Sequence, residues 1–314
     1  MQPIRIGIVG VGTIAREQHI PSILANPAYV FAAASSPNSQ AAGVPNFPSM
    51  QDMLSQVEDL DAVAICTPPQ AHYKAAKLAL QSGKHVLLEK PPCTSIAQLS
   101  HLVALAATEK LSLYQTWHSR HAPGVARVLQ LLRRRRLNYV RVTWKEDVRL
   151  WHPGQTWMWQ AGGFGVLDPG INALSILTHL IDEPILPESS TLFIPENCET
   201  PIAASISLRC GSGAVIDLEL DFRHVGAQTW DIDFDTDGGP IKLSAGGSEL
   251  CVDNVSVLQA FASLRNEYAS IYLRFVDLVR AQRSEVDARP MQLVADIFLL
   301  GKRVMVEPFL GAAP

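Results

Sequence analysis

From the first residues onward, short apolar runs alternate with stretches whose apolar positions recur at helical spacing. Residues 4–9, 30–34, 62–66, 85–88 and 112–115 read as near-continuous buried strands. Helical patterns fall at 15–25, 71–82 and 96–109, the last preceded by the capping pair Thr94-Ser95. Buried strands alternating with helices predict a parallel sheet covered on both faces.

After Ser119 the pattern changes. Residues 140–148 alternate, a Trp/Gly-rich loop follows, and a helix is predicted over 169–180. Extended runs come next at 190–195, 203–209, 214–223, 229–236, 240–244 and 249–252. Turn signals such as Gly211-Ser212-Gly213 and Asp237-Gly238-Gly239 separate them, which predicts a mostly antiparallel sheet. Helices over 265–282 and 290–306 close the chain. The 314 residues suit two domains, 1–119 and 120–314. The fold class is therefore α/β followed by α+β.

Composition narrows the function classes. With 47% hydrophobic and 18% charged residues the chain has the make-up of an ordinary globular protein. A net charge of -4 gives no strong field toward nucleic acid or membrane, so neither is expected as a partner. The run Arg133-Arg134-Arg135-Arg136 follows Val125, Val128, Leu129 and Leu132 and reads as the solvated end of an amphipathic helix. Five cysteines without a CxxC pair fit a reducing compartment, with neither disulfide framework nor structural zinc. The apolar N-terminus lacks a signal-peptide layout, and no apolar run reaches the ~20 residues of a membrane span. The expected location is the cytoplasm.

Gly10-Val11-Gly12-Thr13-Ile14-Ala15 is a GxGxxA stretch that follows a strand and opens a helix. Gly10 permits the tight turn, Gly12 lets backbone approach a pyrophosphate, and Ala15 lets helix and strand pack. Thr13 and Ile14 begin the helix whose free N–H groups face the phosphates. A glycine turn without ligand is the bland alternative; the position at the head of a βαβ series favours a dinucleotide. The second strand ends Ala34-Ser35-Ser36-Pro37-Asn38, with neither an acid for a 2′-hydroxyl nor an arginine for a 2′-phosphate. Ser35 or Ser36 can hydrogen-bond either group, so the cofactor is NAD or NADP, with a lean to NAD.

Candidate chemistry lies in Glu89-Lys90-Pro91-Pro92, Trp117-His118-Ser119-Arg120, Lys145-Glu146-Asp147 running to Trp151-His152-Pro153-Gly154, and Gly162 to Asn172. The first two follow predicted parallel strands, where such sheets bind ligands. Each candidate has a plainer role. Asp168 before Pro169 suits an N-cap with proline at N1. Lys90 suits an exposed loop. One of Glu146 and Asp147 suits a solvated strand end, and His152 suits packing in the Trp cluster. Trp151, Trp157 and Trp159 suit core or wall, and His72, His85 and His179 suit structural positions. His118, His121, His152 and Asp168 lack a zinc spacing, so no metal is expected.

GxGxxA, Thr67-Pro68-Pro69 with His72, Glu89-Lys90-Pro91 and Asp168 together resemble the glucose–fructose oxidoreductase / inositol dehydrogenase family, over essentially the whole chain. WHSR, WKEDVR, WHPGQ and GVLDPGINALSI resemble its galactose 1-dehydrogenase / L-arabinose 1-dehydrogenase branch. The resemblance implies a Rossmann domain, then a domain with a large open sheet, whose exposed face is expected to serve as a homo-oligomer interface. It implies cofactor contacts at Thr67, Pro68, His72, Glu89 and Lys90. It also implies NAD(P)-dependent oxidation of D-galactose, L-arabinose or D-fucose at C1 to the aldonolactone. Catalytic or sugar-binding roles fall on Lys90, Glu146, His152, Asp168 and Asn172, joined by His118 and Trp151. Many members carry DxxxH, whereas here the fourth place after Asp168 is Asn172, which cannot take up a proton. A free aspartate is itself a weak base, of pKa about 3.9. The expectation is therefore a Lys90–Asp168 pair sharing the proton of the 1-hydroxyl, with Asn172 orienting it. The alternatives are a catalytically silent sugar- and dinucleotide-binding regulator and a cyclic-polyol dehydrogenase.

Overall fold

The computed structural model describes residues 2–259 and 264–312. They pack as two units. The first comprises the described residues of Met1–His118 and Ser263–Ala288. Its six strands are β1 Ile4–Val9, β2 Tyr29–Ser35, β3 Asn46–Phe47, β4 Ala62–Ile65, β5 His85–Leu88 and β6 Leu113–Gln115. All pair in parallel, in the order β3-β2-β1-β4-β5-β6. The chain changes direction of winding between β1 and β4, and in such sheets the crevice beyond the strands' carboxyl ends is where a ligand binds. Strand β4 is Ala-Val-Ala-Ile with every residue buried, as a central strand covered on both faces requires.

The helix Leu264–Ala281 packs in this first unit. Tyr268, Ile271, Tyr272 and Phe275 lie at helical spacing and are fully enclosed among Ile6, Ile8 and Ile23. Sequence order groups this helix with residues 120–314, but the core its apolar stripe completes is that of the parallel sheet. Sequence pattern also passes over β3 and the helix Met50–Gln56. The latter is started by Ser49, whose side chain accepts from the Asp52 N–H at 3.1 Å. Ser95 caps Ile96–Glu109 in the same way, as its sequence predicts.

The second unit comprises the described residues of Ser119–Ala262 and Arg289–Pro314. Its strands are β7 Leu137–Lys145, β8 Ile185–Pro195, β9 Ala203–Cys210, β10 Val215–Asp221, β11 Thr229–Thr236, β12 Ile241–Ser244, β13 Glu249–Val252, β14 Val255–Gln259 and β15 Lys302–Val306. They form one sheet in the order β14-β13-β12-β11-β7-β10-β9-β8-β15. The pairs β10–β7 and β15–β8 are parallel and the others antiparallel. The helices Leu167–Leu180 and Arg289–Leu300 pack against one another, and onto β7 and β8 respectively.

The helix predicted over 290–306 stops at Leu300. At Gly301 a Cβ would stand 2.8 Å from the Ile297 carbonyl oxygen and 2.7 Å from Leu192. The following Lys302–Val306, with two β-branched valines, joins β8 as an edge strand. Arg135 is more than a solvated helix end, since it grips Asp253 through two contacts of 3.0 and 3.1 Å.

Candidate active site

In the first unit, Gly10 has φ 90° and gives its N–H to the Ser35 carbonyl at 2.8 Å. A Cβ there would lie 2.9 Å from the Thr67 nitrogen and Cγ2 and 3.0 Å from the Cys66 carbonyl carbon. The positive φ and the close backbone of the segment just after β4 therefore require glycine. Gly12 differs: a Cβ would meet no heavy atom within 4 Å among the described residues. Packing within the chain does not demand glycine at 12, whereas close approach of a pyrophosphate does. The helix begins at exposed Thr13 and half-buried Ile14, and fully buried Ala15 packs into the core. This set fits a dinucleotide, whose phosphates would be held by the glycine turn and the first N–H groups of the helix.

Ser35 is enclosed, its Oγ without a hydrogen-bond partner among the described residues, while Ser36 is half-buried and gives its N–H to Phe47. Of the two hydroxyls, that of Ser36 is the more accessible to a ribose. Pro68 is exposed at the start of the helix Pro69–Gln81. His72 lies buried between two carbonyls, with Nδ1 2.9 Å from Pro91 O and Nε2 2.6 Å from Thr67 O. Burial pushes its pKa down, outweighing the two carbonyls, which favour the protonated ring. His72 thus links the loop after β4 to the loop after β5.

Glu89 ends the fully buried run from Val86, and half-buried Lys90 follows it. The Glu89 carboxylate accepts from His19 Nε2 at 3.0 Å, the Tyr268 hydroxyl at 2.9 Å and the Thr116 hydroxyl at 3.2 Å through Oε1. Its Oε2 accepts from the Lys90 N–H at 2.9 Å. Burial acts to raise its pKa, but the hydrogen bond and charge of His19, with His118 and Tyr268, outweigh it and hold the group at about 2. Inferred from sequence as a cofactor contact, Glu89 is engaged with protein groups inside the unit. His118 Nδ1 lies 2.7 Å from Glu267 Oε2, and its ring stacks on Tyr268 with centroids 5.8 Å apart.

In the second unit, Glu146 directly follows β7 and is 2% exposed. Its Oε1 lies 2.8 Å from His152 Nε2, and its Oε2 accepts from Trp230 Nε1 at 2.7 Å. The carboxylate thus fixes His152 and Trp230 together. Trp151 is 46% exposed and meets Trp230 edge to face at 4.9 Å, so part of its indole is free to meet a ligand. Trp159 is core, packed on Phe222 and Phe309. Asp147 is not simply solvated: it caps Val148–Trp151 and pairs with Arg149 at 2.7 and 2.8 Å.

The helix predicted over 169–180 starts two residues earlier, Leu167–Leu180, with Val166 at the N-cap and no side-chain cap bond. Asp168 therefore lies within the first turn, 4% exposed, rather than serving as the cap. Asn172 is one turn on, on the same face. It is half-buried, and its Oδ1 is enclosed without a hydrogen-bond partner among the described residues. Arg120 holds this helix from outside, donating to Ser175 O at 2.8 Å and to the Thr178 hydroxyl at 3.0 Å. Gly165 and Gly170 let the backbone pass close, since a Cβ would meet Pro201 O at 2.2 Å and Leu220 at 2.7 Å respectively. No group of three or more metal-ligating side chains occurs among the described residues.

Sequence pattern missed His19, Trp230, Glu267, Tyr268 and Tyr272. A faint signal exists for most of them, namely polar or amphipathic residues within otherwise apolar helix stripes.

A model of an oxidoreductase family with an NAD-binding Rossmann fold, the glucose–fructose oxidoreductase / inositol dehydrogenase group, matches residues 4–116. Galactose 1-dehydrogenase of Pseudomonas fluorescens is 43% identical over 309 residues, 98% of this chain and 99% of that protein. The chain belongs to the glucose–fructose oxidoreductase / inositol dehydrogenase family. As a member of that family it is an NAD(P)-binding oxidoreductase, on the two-sheet architecture its motifs imply. Within the family, a crystal structure of D-galactose-1-dehydrogenase from Rhizobium etli superposes with a TM-score of 0.92 at 45% identity, covering 98% of each chain. A 3-ketoreductase from Actinomadura kijaniata, solved with NADP, superposes at 0.85 over 97% of this chain and all of its own, but at 19% identity it shares only the fold.

Proposed function

We propose that this oxidoreductase takes a hydride from C1 of a galacto-configured aldopyranose (D-galactose, L-arabinose or D-fucose) and yields the aldonolactone. The observation that carries the substrate class is the 43% identity to a galactose 1-dehydrogenase over nearly all of both chains. Bound nicotinamide would accept the hydride. The task left to the protein is the proton of the 1-hydroxyl.

Three features support a division of that task. The ammonium of Lys90 suits stabilising the oxygen as negative charge develops on it. Asp168 is buried without being spent as the helix cap, and its carboxylate suits receiving the proton, so the two would act as one unit. The enclosed Oδ1 of Asn172 is an acceptor that a sugar hydroxyl would satisfy. Glu146 holds His152 and Trp230 beside Trp151, which supports a polar-and-aromatic wall for the ring, with His118 braced by Glu267 as a further polar contact. NAD is the favoured cofactor, since Ser36 brings neither a charge that would clamp a 2′-phosphate nor an arginine. A homo-oligomer through the polar face of the nine-stranded sheet belongs to the same proposal, and light scattering tests it.

The test is a panel of aldoses and inositols assayed with NAD and NADP by absorbance, followed by product analysis. Reduction with D-galactose, and formation of a lactone, is expected. A keto product would transfer the reading to polyol oxidation, and no reduced cofactor with any sugar would leave only the silent regulator.

A further inference from the structure

Glu89 is buried, charged and unused in the chemistry proposed above. Its partners come from four places in the first unit: His19 on the helix that opens at the glycine turn, Tyr268 on Leu264–Ala281, Thr116 just beyond β6, and the Lys90 N–H. His19 Nδ1 lies 2.8 Å from the Tyr272 hydroxyl. Both ring nitrogens of His19 are thereby partnered, Nε2 by Glu89 and Nδ1 by the Tyr272 hydroxyl. Tyr29 extends the chain by donating to the Tyr272 carbonyl at 2.7 Å. A buried carboxylate of this kind is costly unless fully hydrogen-bonded, and an apolar side chain would serve a purely structural core at lower cost.

The route by which His19 reaches Glu89 is also unusual. Ala15–His19 is a π-helical turn, with the Ile20 N–H bonded to Ala15 O five residues back. Pro21 lies just beyond and cannot donate into an α-helical ladder, which gives a local cause for the wider turn. Such turns recur at functional sites. Here the turn carries a buried imidazole between the glycine loop and the residue before Lys90.

We propose that His19 and Glu89 are positioning residues for the reaction, fixing the backbone at Lys90 relative to the helix that receives the dinucleotide. The inference rests on Lys90 acting at the reacting hydroxyl. Glu89 bonds the Lys90 N–H directly, and His19 holds Glu89. A displacement of a reacting group by about 1 Å can cost roughly 10²-fold in rate.

His19→Gln and His19→Asn separate positioning from packing. Glutamine keeps an N–H near the place of Nε2, toward Glu89; asparagine keeps a polar group near the place of Nδ1, toward Tyr272. Both remove the aromatic ring from the same turn. In the full-length enzyme His19→Gln should retain kcat within about threefold, while His19→Asn and Glu89→Gln should each lose about 10- to 100-fold. KM for galactose and Kd for the dinucleotide should change by less than about threefold in all of them. Equal kcat in the two His19 variants, or a loss carried by KM alone, overturns the proposal. Should His19→Asn fail to fold, Glu89→Gln decides: wild-type kcat in that variant also overturns it. Lys90→Met is measured alongside. If it keeps kcat, the assignment of Lys90 fails and this inference with it. If it loses about 10²- to 10³-fold while the His19 variants are equal, only the positioning inference fails.

Discussion

Asp168 and Asn172 share one face of one helix, yet they differ in what they can do. The carboxylate can accept a proton and the amide cannot. Replacing Asp168 by alanine should therefore lower kcat by about 10²- to 10⁴-fold, the range of general-base catalysis. Asn172→Ala should lose about tenfold, the worth of one oriented hydrogen bond. Steady-state kinetics on both variants checks this, and equal losses would make the two a positioning pair only. Glu146 was singled out by the family resemblance, its strand-end place suiting a solvated residue equally well, and the structure finds it buried between His152 and Trp230. Trp230 itself could not be picked from sequence, because it is one of several tryptophans and its pairing depends on β11 lying beside β7.

At the scale of elements, the glycine turn offers a contrast between its two glycines. Gly10→Ala places a Cβ against backbone at positive φ and should destabilise the fold by about 2–5 kcal/mol. The Cβ of Gly12→Ala meets nothing within 4 Å among the described residues, so the folded state should hold within about 0.5 kcal/mol. The same Cβ would occupy the approach of the pyrophosphate, so Kd for the dinucleotide should rise about tenfold or more. Denaturant melts with isothermal titration separate the two effects; unchanged affinity in Gly12→Ala would contradict the role given to that glycine. The GxGxxA turn was legible because its requirement is local. The helix Leu264–Ala281 was misgrouped because chain order does not say which core an apolar stripe completes, and Lys302–Val306 was misread because a few apolar residues after a glycine suit either period. Strand β3 is two residues long and leaves no pattern to read.

Across the whole molecule, buried ionisable groups tie stability to pH. Burial lowers the pKa of His72 and His85 from the ordinary 6.5, so their neutral rings contribute stability above that pH and lose it as pH falls. Glu89 is held at about 2 against an ordinary 4.5, so its contribution is complete above 4.5 and disappears as pH falls through about 2. All three act in one direction. Tm should therefore decline on acidification from about pH 6.5 and decline further below about pH 4.5. Glu89→Gln should be less stable at neutral pH and should flatten only the lower window, as thermal melts across pH would record. The two-sheet architecture and the family were legible from motif positions along the chain. The hub around Glu89 was not, since its members lie at 19, 89, 116 and 268 and meet only when the late helix packs into the first unit.

In the proposed reaction, hydride leaves C1 of a galacto-configured sugar. The most direct measurement is turnover of D-galactose deuterated at C1, with NMR of the recovered cofactor and of the sugar product. The expected result is deuterium on the reduced nicotinamide ring together with an unlabelled galactonolactone or its hydrolysis product. Deuterium retained in the sugar while the cofactor is reduced, or no reduction at all, would contradict it.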